Sequence, residues 1–262
     1  MNLPPTPTAP PRLTRGTVAL MATCLADQFR PGVADATARL IETAGFVIEV
    51  PLQSCCGQPN VSGGDREGAR RIARGVIDRF GGFQWVVVPS GSCAATLIRH
   101  YPSLLADDPQ YGPRAAQLAQ RTFELTTFLE QVAGLDGITA QWSGRATYHD
   151  SCSGLRELGV KRAPRAALAR VAGLDLVEAR DPEACCGFGG TFCLKYPVVS
   201  ERMTDRRIDD IVATGAEVVI GGDLGCLMTI EGRLRRRGSS VRARHVAEVL
   251  AGWMDLDDDD DA

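Results

Sequence analysis

Lysine is almost absent from this chain. Of 29 basic residues only Lys161 and Lys195 are lysines, and 32 acidic residues leave a net charge of −3. That balance offers no electrostatic footprint for a polyphosphate, so nucleic-acid binding is not expected. Histidine is scarce too, with His100, His149 and His245 the three present. Each reads as a hydrogen-bonded structural residue rather than a ligand. His149 is close enough to Cys152 to tune a centre there through a supporting contact. No apolar run approaches the ~20 residues that span a bilayer. The N-terminal "MNLPPTPTAPPRLTRG" lacks the apolar segment of a secretory signal and predicts a disordered tail over 1–15. The acidic "DLDDDDDA" predicts another over 254–262. A cytoplasmic protein is the expectation. No Gly-x-Gly-x-x-Gly follows the first predicted strand, and no Cys-x-x-Cys-x-x-Cys run is present. The first absence argues against a dinucleotide fold, the second against a ferredoxin-type cluster.

Cysteine, by contrast, occurs nine times. In a reducing compartment that number reads as metal ligands or redox groups rather than a disulfide framework. Eight of the nine fall into two matched sets. Cys24, the pair Cys55–Cys56, and Cys93 form the first; Cys152, the pair Cys185–Cys186, and Cys226 form the second.

The flanks repeat with the cysteines. "TVALMATC" (17–24) and "ATYHDSC" (146–152) read as a strand running into a cysteine. Helices are predicted over 33–45 and 163–173, and short strands over 46–50 and 175–179, each entering a Cys-Cys-Gly loop. Further helices are predicted near 65–80 and 197–214. The buried strands "WVVVPSGSC" (85–93) and "VVIGGDLGC" (218–226) follow. Each half closes with a strand and helix near 123–132 and 243–252, and the first half carries an extra connection near 103–115. The predicted fold is α/β: two tandem pseudo-repeated parallel sheets of βαβ units, over 16–135 and 140–253. Parallel strands with right-handed crossovers bring each cysteine set to the C-terminal edge of its own sheet, where open α/β sheets hold ligands.

Adjacent side chains on an extended strand point to opposite faces. A vicinal pair therefore reaches one centre only if the backbone turns sharply. Gly57 and Gly187 follow the pairs and permit a positive φ at that turn. Gly189 and Gly190 are expected to leave room for a bulky inorganic group. Cys93 and Cys226 are expected at helix N-termini, which favour thiolate. Four thiolates suit tetrahedral zinc or an iron–sulfur cluster. Buried thiols or vicinal disulfides are the plainer alternatives, but disulfides leave Cys24, Cys93, Cys152 and Cys226 unexplained. Cys193 has no partner in the first set and reads as a structural thiol, with a role beside the second cluster as the alternative.

The two sets resemble the CCG, or cysteine-rich, domain family. The likeness rests on "CCGQP" (55–59), "PSGSC" (89–93), "HDSC" with "LRELGV" (149–160), "CCGFGGTFCLKYP" (185–197) and "DLGCLMTIEG" (223–232), and extends over 17–252. It implies one [4Fe–4S] cluster per repeat, bound by Cys24, Cys55, Cys56 and Cys93 and by Cys152, Cys185, Cys186 and Cys226, with zinc as the alternative at the first site. Members with a non-cubane cluster use five cysteines per site. Here Ser90 and Asp223 stand where the fifth would be, either as oxygen ligands or as hydrogen-bonding groups. Within the family the resemblance is to the lactate-utilisation branch. That implies an electron-relaying component, inactive alone, of a complex oxidising L-lactate to pyruvate beside a ferredoxin-like subunit and a further subunit. Two other readings stay open: a component of a heterodisulfide-type thiol reductase, and a zinc-binding structural assembly module.

Overall fold

The valine-rich runs become the third strand of each of two sheets. The computed structural model describes residues 15–253, and both predicted tails, 1–14 and 254–262, lie outside the described residues. The first sheet comprises β1 (Thr17–Leu20), β2 (Val47–Glu49), β3 (Trp85–Val88) and β4 (Thr122–Glu124), ordered β2-β1-β3-β4. The second comprises β5 (Gln141–His149), β6 (Ala172–Val177), β7 (Val218–Gly221) and β8 (Arg242–His245), ordered β6-β5-β7-β8. All pairings are parallel, so every link is a crossover.

Strand alternation sorts the core. Val18 and Val87 of the first sheet join Ala146, Val218 and Ile220 of the second in one shared apolar cluster. Ala19, Val86 and Val88 turn the other way, onto the helix Arg66–Phe80, while Val219 turns onto Pro197–Val212 and Leu224–Arg236. The two sheets thus pack through a common centre, and each keeps a helix layer outside.

The predicted helices over 33–45, 65–80 and 197–214 are found as Gly32–Thr43, Arg66–Phe80 and Pro197–Val212. The helix expected over 163–173 is shorter, Arg162–Leu168, because Ala172 already pairs with Gln141 as the start of β6. The extra connection near 103–115 leads into a helix, Tyr111–Arg121. Arg15 falls within the tail predicted from sequence, yet its guanidinium donates to the carbonyls of Val132 and Ala133 and lies 4.7 Å over the Phe46 ring.

Candidate metal centres

In the first sheet the chain leaves β1 in one direction for β2 and the other for β3, which makes the C-terminal ends of β1 and β3 a topological switch point. The first set gathers there. Cys24 opens the helix Cys24–Phe29 after β1, the vicinal pair follows β2, and Cys93 sits in the first turn of Gly91–Ala95 after β3. The second set repeats this after β5, β6 and β7, with Cys226 in the first turn of Leu224–Arg236. All nine cysteines are free thiols.

Within each set the sulfurs form a continuous chain. Cys56 Sγ lies 3.2 Å from Cys93 Sγ, and the Gly57 amide donates to Cys55 Sγ at 3.4 Å. Thiol donation from Cys24, then Cys56, pulls the Cys55 thiol far below its ordinary value, with the Gly57 amide helping. Cys152, Cys186 and the Gly187 amide do the same for Cys185. The partners move up: Cys24 and Cys56 by hydrogen bonding to Cys55, Cys152 and Cys186 by hydrogen bonding to Cys185, and burial adds to each. In each set the hydrogen bonds from neighbouring groups favour the thiolate form at one sulfur, Cys55 or Cys185.

The expected turns are present, with φ of +79° at Gly57 and +89° at Gly187. Their surroundings differ. A Cβ on Gly57 would meet the Ile72 side chain at 3.2 Å, whereas one on Gly187 would lie 2.6 Å from the Ser200 carbonyl oxygen. The first set carries a strain of its own. Thr23, just before Cys24, has φ +63°, the one positive value at a non-glycine among the described residues.

Both positions that lack the fifth cysteine cap helix N-termini. Ser90 Oγ accepts from the Cys93 amide at 3.3 Å. Asp223 precedes Leu224–Arg236 but reaches across to the other half, where its Oδ2 accepts from the Ser92 amide at 2.8 Å. Burial raises its carboxyl, and the Ser92 amide partly offsets that. The second half also closes over the first set. A cavity of about 170 Å³ beside Cys24, Cys55, Cys56 and Cys93 is walled by Phe188, Gly190 and Asp223. This corrects the expectation for Gly189 and Gly190. A Cβ on Gly189 would strike Phe192, and one on Gly190 would meet Gln58 of the first half at 3.0 Å. The glycine run shapes a loop over the first set instead of clearing room at the second. Cys193 lies in the short helix Phe192–Lys195 that follows, its thiol donating to the Gly190 carbonyl at 3.4 Å.

His149 is fully enclosed, and a ring nitrogen lies within 4.8 Å of the Cys186 and Cys226 sulfurs. Its Nδ1 accepts from Arg207 Nε at 3.1 Å, and its Nε2 has no hydrogen-bond partner. Burial and the nearby guanidinium drop its pKa to about 3, so the ring is neutral. Sequence reading missed Arg207. The available signal was its place on the buried stripe Ser200, Thr204, Arg207, Ile208, Ile211, where a charge is out of pattern. The other histidines are structural: His100 Nε2 lies 2.8 Å from Glu157, and His245 caps the helix Val246–Leu250.

The donor chemistry fits a thiophilic centre: each set offers four sulfurs from three loops on one sheet edge, with backbone N–H groups aimed at sulfur. A family model for the cysteine-rich domain, CCG, matches residues 18–98 and 146–231. "Lactate utilization protein A" of Shouchella clausii is 45% identical over 234 residues, covering 89% of this chain and 98% of that protein. The protein of the same name from Bacillus subtilis strain 168 is 43% identical over the same coverage. Among solved structures, a hypothetical protein from Helicobacter pylori shares the fold, with a TM-score of 0.62 at 10% identity over 94% of this chain. This chain spans 50% of that protein's length.

Proposed function

The chain belongs to the cysteine-rich (CCG) domain family, and on that basis we propose that it is the iron–sulfur electron-relaying component of an assembly that oxidises L-lactate to pyruvate. The modules are residues 16–135 and 140–253, each with one centre. Cys24, Cys55, Cys56 and Cys93 hold the first; Cys152, Cys185, Cys186 and Cys226 hold the second. A bound [4Fe–4S] cluster supplies one-electron storage and transfer.

The chain's own part is positioning. Gly57 and Gly187 turn each vicinal pair toward one point, and their amides donate to Cys55 Sγ and Cys185 Sγ. Phe188, Gly190 and Thr191 line the cavity beside the first centre. Ser90 orients the helix turn that carries Cys93, and Asp223 ties that turn to the second half. Oxidation of lactate releases two electrons and two protons. On this reading the chain passes the electrons and does not turn over lactate alone. A ferredoxin-like subunit and a further subunit of the same assembly are the partners this reading requires.

The observation that carries the reading is the unbroken chain of four sulfurs at each switch point, in a chain closely similar to lactate utilization protein A. The test is metal and acid-labile sulfide analysis after anaerobic preparation. About eight of each per chain is the expected result for two such clusters. A colourless protein with tight zinc and negligible iron would overturn it, and about four of each with one zinc would assign zinc to one site.

A further inference from the structure

The two sites share cysteine geometry but not surroundings, and the register of the sheets identifies matching positions. Leu20 pairs with Val87 in the first sheet as Tyr148 pairs with Ile220 in the second. The next residues, Met21 and His149, therefore occupy equivalent places, each three residues before a cysteine. The buried stripe Ala69, Ala73, Val76, Ile77, Phe80 matches Ser200, Thr204, Arg207, Ile208, Ile211 in the same way, which sets Val76 against Arg207. Where the first half has two apolar side chains, the second has a hydrogen-bonded His–Arg pair. Both of those residues are 0–1% exposed.

Arginine can only donate. Because Arg207 Nε donates to His149 Nδ1, that nitrogen must carry the lone pair, and the neutral ring holds its proton on Nε2. Arg207 is itself fixed, by the Asp181 carbonyl at 2.8 Å and Asp210 Oδ2 at 3.1 Å. The ring is thus locked with Nε2–H as its unpartnered, enclosed edge, and one of its nitrogens lies within 4.8 Å of the Cys186 and Cys226 sulfurs. A protonated nitrogen cannot ligate a metal.

We propose that His149, positioned by Arg207, donates its Nε2–H to a sulfur of the second site and so raises that site's reduction potential relative to the same site without the donor. The inference rests on the reading of the second set as a cluster site. Reduction adds one electron and negative charge to the centre, and a donated hydrogen bond stabilises the charged form more than the less charged one. The proton stays on Nε2 in both states. The first site, with Met21 and Val76, lacks this donor, so the pair biases an added electron toward the second site.

The experiment is potentiometric titration with one-electron mediators of the wild type, His149→Met and His149→Gln. In His149→Met, which installs the first half's residue, iron content is unchanged. The reduced-to-oxidised ratio of the second site at fixed potential falls about tenfold, or 59 mV for a one-electron couple. The first site does not move. Gln, which keeps an N–H donor, recovers part of the shift. An unchanged potential at full iron content would overturn the proposal. So would loss of the second centre's iron with the fold intact, since that would make His149 a ligand. A readout without metal stands beside these: nitrogen NMR of the histidine-labelled metal-free protein should show His149 protonated at Nε2, and an Nδ1-protonated ring would contradict the mechanism. Iron missing from the wild-type second site would instead defeat the functional reading.

Discussion

Both halves place a cysteine after the first strand, a vicinal pair and glycine after the second, and a cysteine in the helix turn after the third. Around that common frame they diverge. The first set is covered by a loop from the other half and begins at a strained Thr23. The second packs its glycine turn hard against a helix and surrounds its sulfurs with a His–Arg pair. Duplication has kept the part that gathers four thiols and varied the part that sets their environment.

The sharpest way to break the comparison is at the glycine turns. Gly187→Ala needs left-handed backbone and drives a Cβ into the Ser200 carbonyl, a fixed backbone atom. The expected cost is about 3–4 kcal/mol. Gly57→Ala meets only the movable Ile72 side chain and is expected to cost about 1–2 kcal/mol. Urea unfolding of the anaerobically prepared variants checks the difference, and equal costs would show that the two turns are not differently packed. The same clash should make Gly187→Val load less metal than the exposed-helix change Arg206→Ala.

Asp223 tests whether the halves depend on each other. Asp223→Ala leaves the Ser92 amide without its acceptor across the boundary. A loss of about 2 kcal/mol is expected, with Asp223→Asn recovering most of it. A full-sized loss in Asn would mean that charge, not hydrogen bonding, joins the halves there.

The last helix of each half is capped by a different titratable residue, which gives the two caps opposite pH responses. Glu124 accepts from the Thr127 amide, and burial raises its carboxyl. Its contribution is complete below the ordinary carboxylate range and is lost as pH rises through the raised value. His245 accepts from the Ala247 amide, and burial drops it to about 3. Its contribution is complete above about 6.5 and is lost as pH falls from there to about 3, by about 1.4 kcal/mol per pH unit. His245→Gln should flatten the acid side of the stability profile and Glu124→Gln the other side. Parallel profiles for both variants would contradict the assignment. The smallest effect is expected at Thr23→Gly, which relieves the positive φ and stabilises by about 1 kcal/mol. Ser151→Gly, at the equivalent place, removes the hydroxyl that accepts from the Gly154 amide and should not stabilise.

Much of this was legible in the residues. Matched cysteine spacing marked the repeat, and apolar runs ending in cysteine placed the thiols at the strand ends. Gly57 and Gly187 were readable because a vicinal pair cannot converge on extended backbone. What stayed hidden depends on contacts between distant segments. Nothing local says that Phe188 and Gly190 wall the first set, or that Asp223 caps a helix of the other half. The stop of Arg162–Leu168 is set by the pairing of Ala172 with Gln141 rather than by its own sequence. Arg207 lay between these cases: its place on an apolar stripe was visible, its partner was not.

The central claim is that two like thiol sets act as two separate centres. Cys56→Ser and Cys186→Ser, prepared side by side anaerobically and assayed for iron and labile sulfide, test it most directly. Each variant is expected to lose the metal of its own half and keep the other's. A variant that empties both sites while remaining folded would contradict the account and point to a single shared centre.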